Sequence, residues 1–242
     1  CISSRAATIK VRRNFTATQQ KGTWSIIIII VRKTITTIAD VHLCPTFDNC
    51  NNVLKDRVKS KKVIAQVVGN TVCDNLVGLE SEYGDEVLVT LHRRENHESI
   101  PQWFMALDAV AQMNPETKFT LPIHPNPNVQ KHKHLLTNIN VIDPLTHPDL
   151  LNLLTECRLV ISDSGGLQEE GSFFNKKVIV CREVTERPEA IDTGHLHMCL
   201  KPEYLPKIFD LLKESYYINN KCPYGDGKSS IKIKNILADE RF

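Results

Sequence analysis

"LVISDSGGLQEEG", residues 159–171, decides the fold. A short apolar run leads into Ser-Asp-Ser-Gly-Gly and then into a helical pattern, the mark of a βα joint. A plain strand-to-helix turn needs at most one glycine. A glycine pair beside a serine predicts that something approaches the backbone closely there. Gly165 and Gly166 would leave N–H groups bare at the positive end of a helix, which is an anion site. Ser164 would cap that helix or donate its hydroxyl to the anion. Glu170 lies four residues past Gly166 on the same helix face, placed to accept two hydrogen bonds from a vicinal diol. The same residues equally suit a capped helix whose acids complement the dipole. A nucleophilic Ser162 or Ser164 fits less well, because the glycines of a nucleophile elbow are not in place.

Working outward, short apolar runs alternate with longer amphipathic ones from residue 85 onward. Strands are expected at 86–92, 118–124, 138–143, 159–163 and 177–182, and helices at 100–113, 127–137, 147–157, 165–174 and within 203–220. The helix at 100–113 carries its apolar residues at Ile100, Phe104, Leu107 and Val110. The strands are continuously apolar rather than alternating, as a parallel sheet covered on both faces requires. The fold class is therefore α/β, with βαβ units forming a parallel sheet and helices on both faces. Upstream, residues 31–54 suggest a helix, a strand-like "VHLCPT" and a second helix. Residues 63–79 suggest a strand, a turn and a helix start. Residues 1–30 follow no period, and their five consecutive isoleucines fit no amphipathic element.

The bulk numbers exclude several classes. With 30 Lys+Arg against 28 Asp+Glu, the net charge of +2 argues against nucleic acid or a membrane surface as partner. "WSIIIIIV" falls short of the roughly 20 apolar residues a bilayer span needs, so a cytoplasmic protein is expected. The 8 cysteines show no CxxC pair and no metal-ligand spacing, which suits buried, reduced thiols better than a disulfide framework.

In an open parallel sheet, ligands bind outside the carboxyl ends of the strands. The loops expected there begin "HRREN" (92–96), "HPNPN" (124–128), "PLTHPD" (144–149), "SGGLQEE" (164–170) and "EVTERPE" (183–189). His92, Arg93 and Arg94 suit a diphosphate, or ordinary pairing with surface acids. His124 is either a further polar contact or a turn histidine, and the second fits better. Arg187 stands between Glu186 and Glu189, either in a local ion pair or at a ligand.

"TLHRREN", "HPNP", "SDSGGLQEE", "TERPEA" and "PYGDGKSS", in this order, resemble the non-hydrolysing UDP-N-acetylglucosamine 2-epimerases. "RKTITTIADVHLCPT" and "VVGNTVCDNL" resemble that family's segments before its hinge, so the likeness covers roughly 32–242. It implies a two-domain, glycosyltransferase-B-like fold and a homodimer that uses neither metal nor nicotinamide. The reaction would interconvert UDP-GlcNAc and UDP-ManNAc by eliminating UDP to a 2-acetamidoglucal and adding it back, a step in polysaccharide biosynthesis. By the same resemblance, Ser164, Gly165 and Gly166 form the diphosphate turn and Glu170 holds the ribose. Arg187 lies near the nucleotide, and Leu150 falls where many members place an aromatic against uracil. His92 reaches the diphosphate and supports departure of UDP, as the expected catalytic residue.

The resemblance further implies 32–84 as a remnant of the first Rossmann-like domain with the hinge, and 85–225 as the UDP-binding domain. Residues 226–242 would be a C-terminal helix packing back toward the first domain, and 1–31 are unassigned. The family's C2 acids belong to a first domain that is expected to be largely missing. No Asp or Glu occurs in residues 1–31. The chain is expected to be truncated and weakly active alone, or a non-catalytic UDP-sugar-binding remnant. A glycosyltransferase of the same fold is a more distant alternative.

Overall fold

A computed structural model describes residues 34–35, 38–56 and 63–238. The unassigned stretch 1–31 lies outside them. The described residues fall into two compact units: those up to His42 with Asn51–Ala65, and Leu43–Cys50 with Gln66 onward.

Six strands form one parallel sheet: β3 (Glu86–Thr90), β4 (Lys118–Pro122), β5 (Asn140–Ile142), β6 (Leu159–Ser162), β7 (Lys177–Val180) and β8 (Leu196–Met198). Their spatial order is β5-β4-β3-β6-β7-β8. The chain builds outward from β3 to β5, returns to the centre, and builds outward again from β6. A switch point therefore lies between β3 and β6, where the loops leaving two adjacent strands diverge and open a crevice. Two further strands, β1 (Val41–Cys44) and β2 (Ile64–Val67), form a separate pair.

Alternation along the strands explains the two cores. Val87, Val89, Phe119, Leu121, Ile161 and Ile179 face α3 (Ile100–Met113) and α8 (Leu205–Leu212), whose Phe104, Leu107 and Phe209 complete one cluster. Leu88, Val160, Val178 and Val180 face the other way, onto Leu154 of α5 (His147–Glu156) and Leu167 of α6 (Gly165–Phe173). Each such side chain, fully buried, contributes about 1.5–3 kcal/mol of transfer free energy. That covered, parallel architecture is the one the sequence predicts.

Three local readings differ. Where a helix over 127–137 is expected, the chain makes one turn, α4 (Pro127–Gln130), and a 3₁₀ turn at Lys133–Leu135. Asp108 on α3 ends the segment by taking the backbone N–H groups of Thr137 at 2.6 Å and Asn138 at 2.7 Å. In 203–220 the α-helix is confined to Leu205–Leu212, after a 3₁₀ turn at Pro202–Tyr204, and beyond it Tyr216 and Tyr217 pack their rings on Tyr83. The sequence reading assigned neither β8 nor the single turn α7 (Glu189–Asp192).

Of the elements expected upstream, β1, α1 (Phe47–Asp56), β2 and α2 (Thr71–Asp74) are present, and the helix expected before β1 falls largely outside the described residues. "PYGDGKSS" leads into α9 (Ser229–Leu237), as predicted. Asp74 of α2 caps α9 by accepting from the Ser229 N–H at 2.9 Å and the Ser230 N–H at 2.6 Å. Burial would raise the Asp74 carboxyl, but the Ser230 and Ser229 hydrogen bonds outweigh it and hold it low. Among the described residues, seven cysteines are free and six of them buried.

Gly227 lets this joint close. Its φ is +75°, and a Cβ would stand 2.2 Å from Val77 Cγ2 and 3.2 Å from the Cys73 carbonyl oxygen. Gly227→Ala should destabilise the chain by about 1–3 kcal/mol, read as a lowered urea midpoint. A second expectation concerns His195, fully buried, with Nδ1 2.7 Å from Thr193 Oγ1. Burial pulls its imidazole down to about 4. The unfolded chain, with an ordinary value near 6.5, binds that proton more readily. The stability His195 gives is thus complete above about pH 6.5 and is lost as pH falls toward 4. Between pH 7 and pH 4.5, wild type should lose about 2–3 kcal/mol more than His195→Gln in urea titrations.

Candidate functional site

The site forms where the β3 and β6 loops part. β6 ends at Ser162, and Asp163, fully buried, sits at the first position beyond it. Its Oδ2 accepts from the N–H of His92 at 3.0 Å, the N–H of Arg93 at 2.8 Å and Nδ2 of Asn96 at 3.0 Å. Below it, the hydroxyls of Thr90 and Ser162 pair at 2.7 Å, and Ser162 also takes the Ser164 N–H at 2.9 Å. The third loop is tied in from β7. Asn96 donates to the Cys181 carbonyl at 2.9 Å, and Arg182 pairs through Nε with Glu95 at 2.5 Å.

Ser164 occupies the N-cap of α6, yet its side chain makes no capping bond. No acid lies in the first turn either. The capped-helix reading thus loses both its features, and this helix end has no side-chain acceptor from Ser164. Two guanidinium groups converge on the same point. A Cβ on Gly165 would stand 3.0 Å from Arg187 Nη1 and 3.1 Å from Arg93 Nη2. Gly166 differs: a Cβ there would meet only Ser164 Oγ, at 3.9 Å. The chain itself leaves the space beside Gly166 open. A helix N-terminus flanked by two arginines and floored by glycine has the charge and room to hold an anion.

Arg187 is held by Glu169, whose Oε1 lies 2.7 Å from both Nε and Nη2. Glu186 is 3.7 Å away, and Glu189 turns instead to Thr46 Oγ1 at 2.5 Å and Asn49 Nδ2 at 3.3 Å. The local ion pair of the sequence reading is present with Glu186, and the closer pair with Glu169 anchors the "TERPE" loop to α6. Gln168 adds a second tether, 2.7 Å from Thr185 Oγ1. A polar cleft of about 220 Å³ runs along this wall, lined among others by Thr46, Asn49, Glu169, Arg187 and Tyr224.

His92 packs its ring on His124, with centroids 4.9 Å apart and planes at 11°. The "HPNP" histidine thus does more than make a turn. Its Nδ1 also accepts the Asn126 N–H at 3.1 Å. Burial lowers the His92 imidazole below its ordinary value, Asp163 pulls it upward, and His124, Arg93 and His97 add to the lowering. His92 is therefore neutral at pH 7, and the positive charge of the site comes from the arginines and the helix end.

Glu170, almost fully buried, bonds His147 Nε2 at 2.9 Å. Leu150 follows His147 by three residues on α5 and packs against the second core cluster. The structure thus brings Gly165, Gly166 and Ser164 together with Arg93, Arg187 and the Asp163-held turn of His92. Glu170 and Leu150 lie along α6 and α5, linked through His147. Sequence reasoning missed Asp163, Asn96, Glu169 and His147. For Asp163 the available signal was its place at a strand end inside the glycine turn.

A family model described as UDP-N-acetylglucosamine 2-epimerase matches residues 29–238. The chain belongs to that family. It is 35% identical to the UDP-N-acetylglucosamine 2-epimerase of Campylobacter jejuni over 240 residues, covering 85% of this chain and 62% of that one. The corresponding Neisseria meningitidis protein is 34% identical over 87% of this chain and 64% of its own. The chain thus spans less than two thirds of the length of these relatives. Among solved structures, S. aureus MnaA with UDP matches at a TM-score of 0.76 and 29% identity, over 86% of this chain and 62% of that one. The N. meningitidis enzyme bound to UDP-GlcNAc matches at 0.71 and 32%, over 83% and 62%. The fold is α/β and glycosyltransferase-B-like, as the resemblance implied. No helix among the described residues is long and apolar enough to cross a membrane.

The open space beside Gly166 makes a sharp expectation. Alanine is the better helix former by about 1 kcal/mol and meets no clash there. Gly166→Ala should hold or raise the urea midpoint while weakening pyrophosphate binding several-fold by calorimetry. A lowered midpoint would mean that the glycine serves folding instead.

Proposed function

We propose that this chain binds the UDP moiety of UDP-GlcNAc and UDP-ManNAc at the β3–β6 switch point, in service of their interconversion by UDP elimination and re-addition. The observation that carries this reading is the anion pocket at the start of α6: bare amides, open space beside Gly166, and the Arg93 and Arg187 guanidiniums closing on Gly165. A diphosphate fits that charge and shape. Glu170 then accepts the ribose hydroxyls, with His147 orienting the carboxylate. Leu150 packs on the uracil with less stacking than an aromatic residue would give. Neutral His92, stacked on His124, can donate a hydrogen bond to the departing diphosphate without adding a charge that would retain it. That is the role proposed for it as catalytic residue. We further place the UDP-binding domain at 85–225, the hinge and the end of the first domain at 32–84, and the returning helix at 226–242, in a cytoplasmic homodimer.

Nucleotide binding is the property this geometry supports, so it is tested apart from turnover. Calorimetric titration of the chain with UDP and with uridine should show UDP binding at least about tenfold tighter, a difference of about 1.4 kcal/mol. Glu170→Gln should weaken UDP by roughly tenfold, through one charge-assisted hydrogen bond. Absence of UDP binding, or equal affinity for uridine, would overturn the reading. Proton NMR of UDP-GlcNAc with the chain then reports whether UDP-ManNAc forms, which separates an epimerase from a binding module.

A further inference from the structure

The strongest unassigned feature is the buried carboxylate of Asp163. A carboxylate that only joined two strand ends would need one donor. This one gathers three on Oδ2, from His92, Arg93 and Asn96, and the His92 N–H also reaches Oδ1 at 3.2 Å. Two of the donors are consecutive backbone amides, so the bonds fix the path of the main chain where it carries the His92 and Arg93 side chains outward. Asn96 extends the grip to the Cys181 carbonyl, which sets the turn against β7 as well.

We infer that Asp163 is the positioning residue of this site, fixing the His92–Arg93 turn so that the imidazole and the guanidinium stand correctly at the start of α6. The inference deepens the nucleotide-binding reading, on which it rests for what is positioned. The geometry leaves little freedom. Arg93 Nη2 comes within 3.1 Å of the point where a Gly165 Cβ would be, and His92 Nδ1 lies 3.7 Å from Asp163 Oδ1. A shift of about 1 Å in the turn would carry the guanidinium away from the anion pocket, a displacement that costs binding and catalysis dearly in preorganised sites. An asparagine at 163 would keep one acceptor and set its own N–H₂ against the N–H groups that now converge there.

The test compares Asp163→Asn with wild type in three measurements: calorimetric titration with UDP, NMR titration with uridine, and NMR titration of the His92 imidazole. Positioning predicts UDP binding weakened by about tenfold or more with uridine binding unchanged, because only the diphosphate depends on the turn. It also predicts that the His92 midpoint falls, since the charge that favours its proton is gone. A purely structural Asp163 would weaken UDP and uridine alike, or neither, and either result overturns the inference. The His92 midpoint falls in every case, because the neighbouring charge is lost, and so the split between UDP and uridine decides. Should Asp163→Asn fail to fold, Asn96→Ala removes one of the converging donors more gently and should give the same selective loss at about threefold. If wild type binds no UDP, the nucleotide reading fails, and hydrogen exchange at the His92 and Arg93 amides, faster in Asp163→Asn if Asp163 holds the turn and unchanged if it does not, still decides the inference.

Discussion

Three N–H groups converging on one buried carboxylate hold this site together. In the sheet interior, ladder hydrogen bonds fix each strand against its neighbours. Beyond the carboxyl ends of β3 and β6 that ladder stops, because the two loops run in opposite directions. The crevice that makes ligand binding possible is therefore also where the backbone loses its regular partners. Asp163 supplies a substitute. It accepts the His92 and Arg93 amides that the ladder no longer serves, and the Thr90–Ser162 hydroxyl pair joins the same two strands one layer below. Leaving such amides buried and unpaired would cost about 1–3 kcal/mol each.

The charge of the site follows from that arrangement rather than from composition. A net charge of +2 over 242 residues says nothing about an anion pocket. The local balance does. Two guanidinium groups close on the start of α6, the helix end adds its partial positive charge, and His92 contributes none because burial keeps it neutral. Glu169 partly offsets Arg187 while fixing its plane through two short contacts. What results is a directed positive field, preorganised by carboxylates one step removed from the ligand's place.

How much of this could be read from sequence depends on whether the cause is local. The helix at Ile100–Met113 is bounded as expected because its apolar spacing already specifies the buried face. The 127–137 segment ends where Asp108, 29 and 30 residues earlier, takes the Thr137 and Asn138 N–H groups. β8 escaped notice because three residues, "LHM", carry too little periodicity. In the site, the glycine turn, Arg187 and Glu170 were legible as residue types at a strand end. Their partners were not, since Glu169–Arg187, His147–Glu170 and Asp163–Arg93 join elements far apart in sequence. Asp163 stood inside the motif itself. Only its burial, which no sequence pattern displays, separates it from an ordinary turn aspartate.

The glycine pair carries the same lesson to its end. Both residues lower the helix propensity of α6 at its first turn, by about 1 kcal/mol each. For Gly165 the fold explains the choice, because a side chain would strike the two guanidiniums. For Gly166 it does not, because the nearest atom to a Cβ is a serine hydroxyl at ordinary contact distance. A residue that weakens its own helix and relieves no clash within the chain fits the proposed diphosphate, which would use that space. Of everything at the switch point, Gly166 is where the fold and the proposed ligand make opposite demands on one residue.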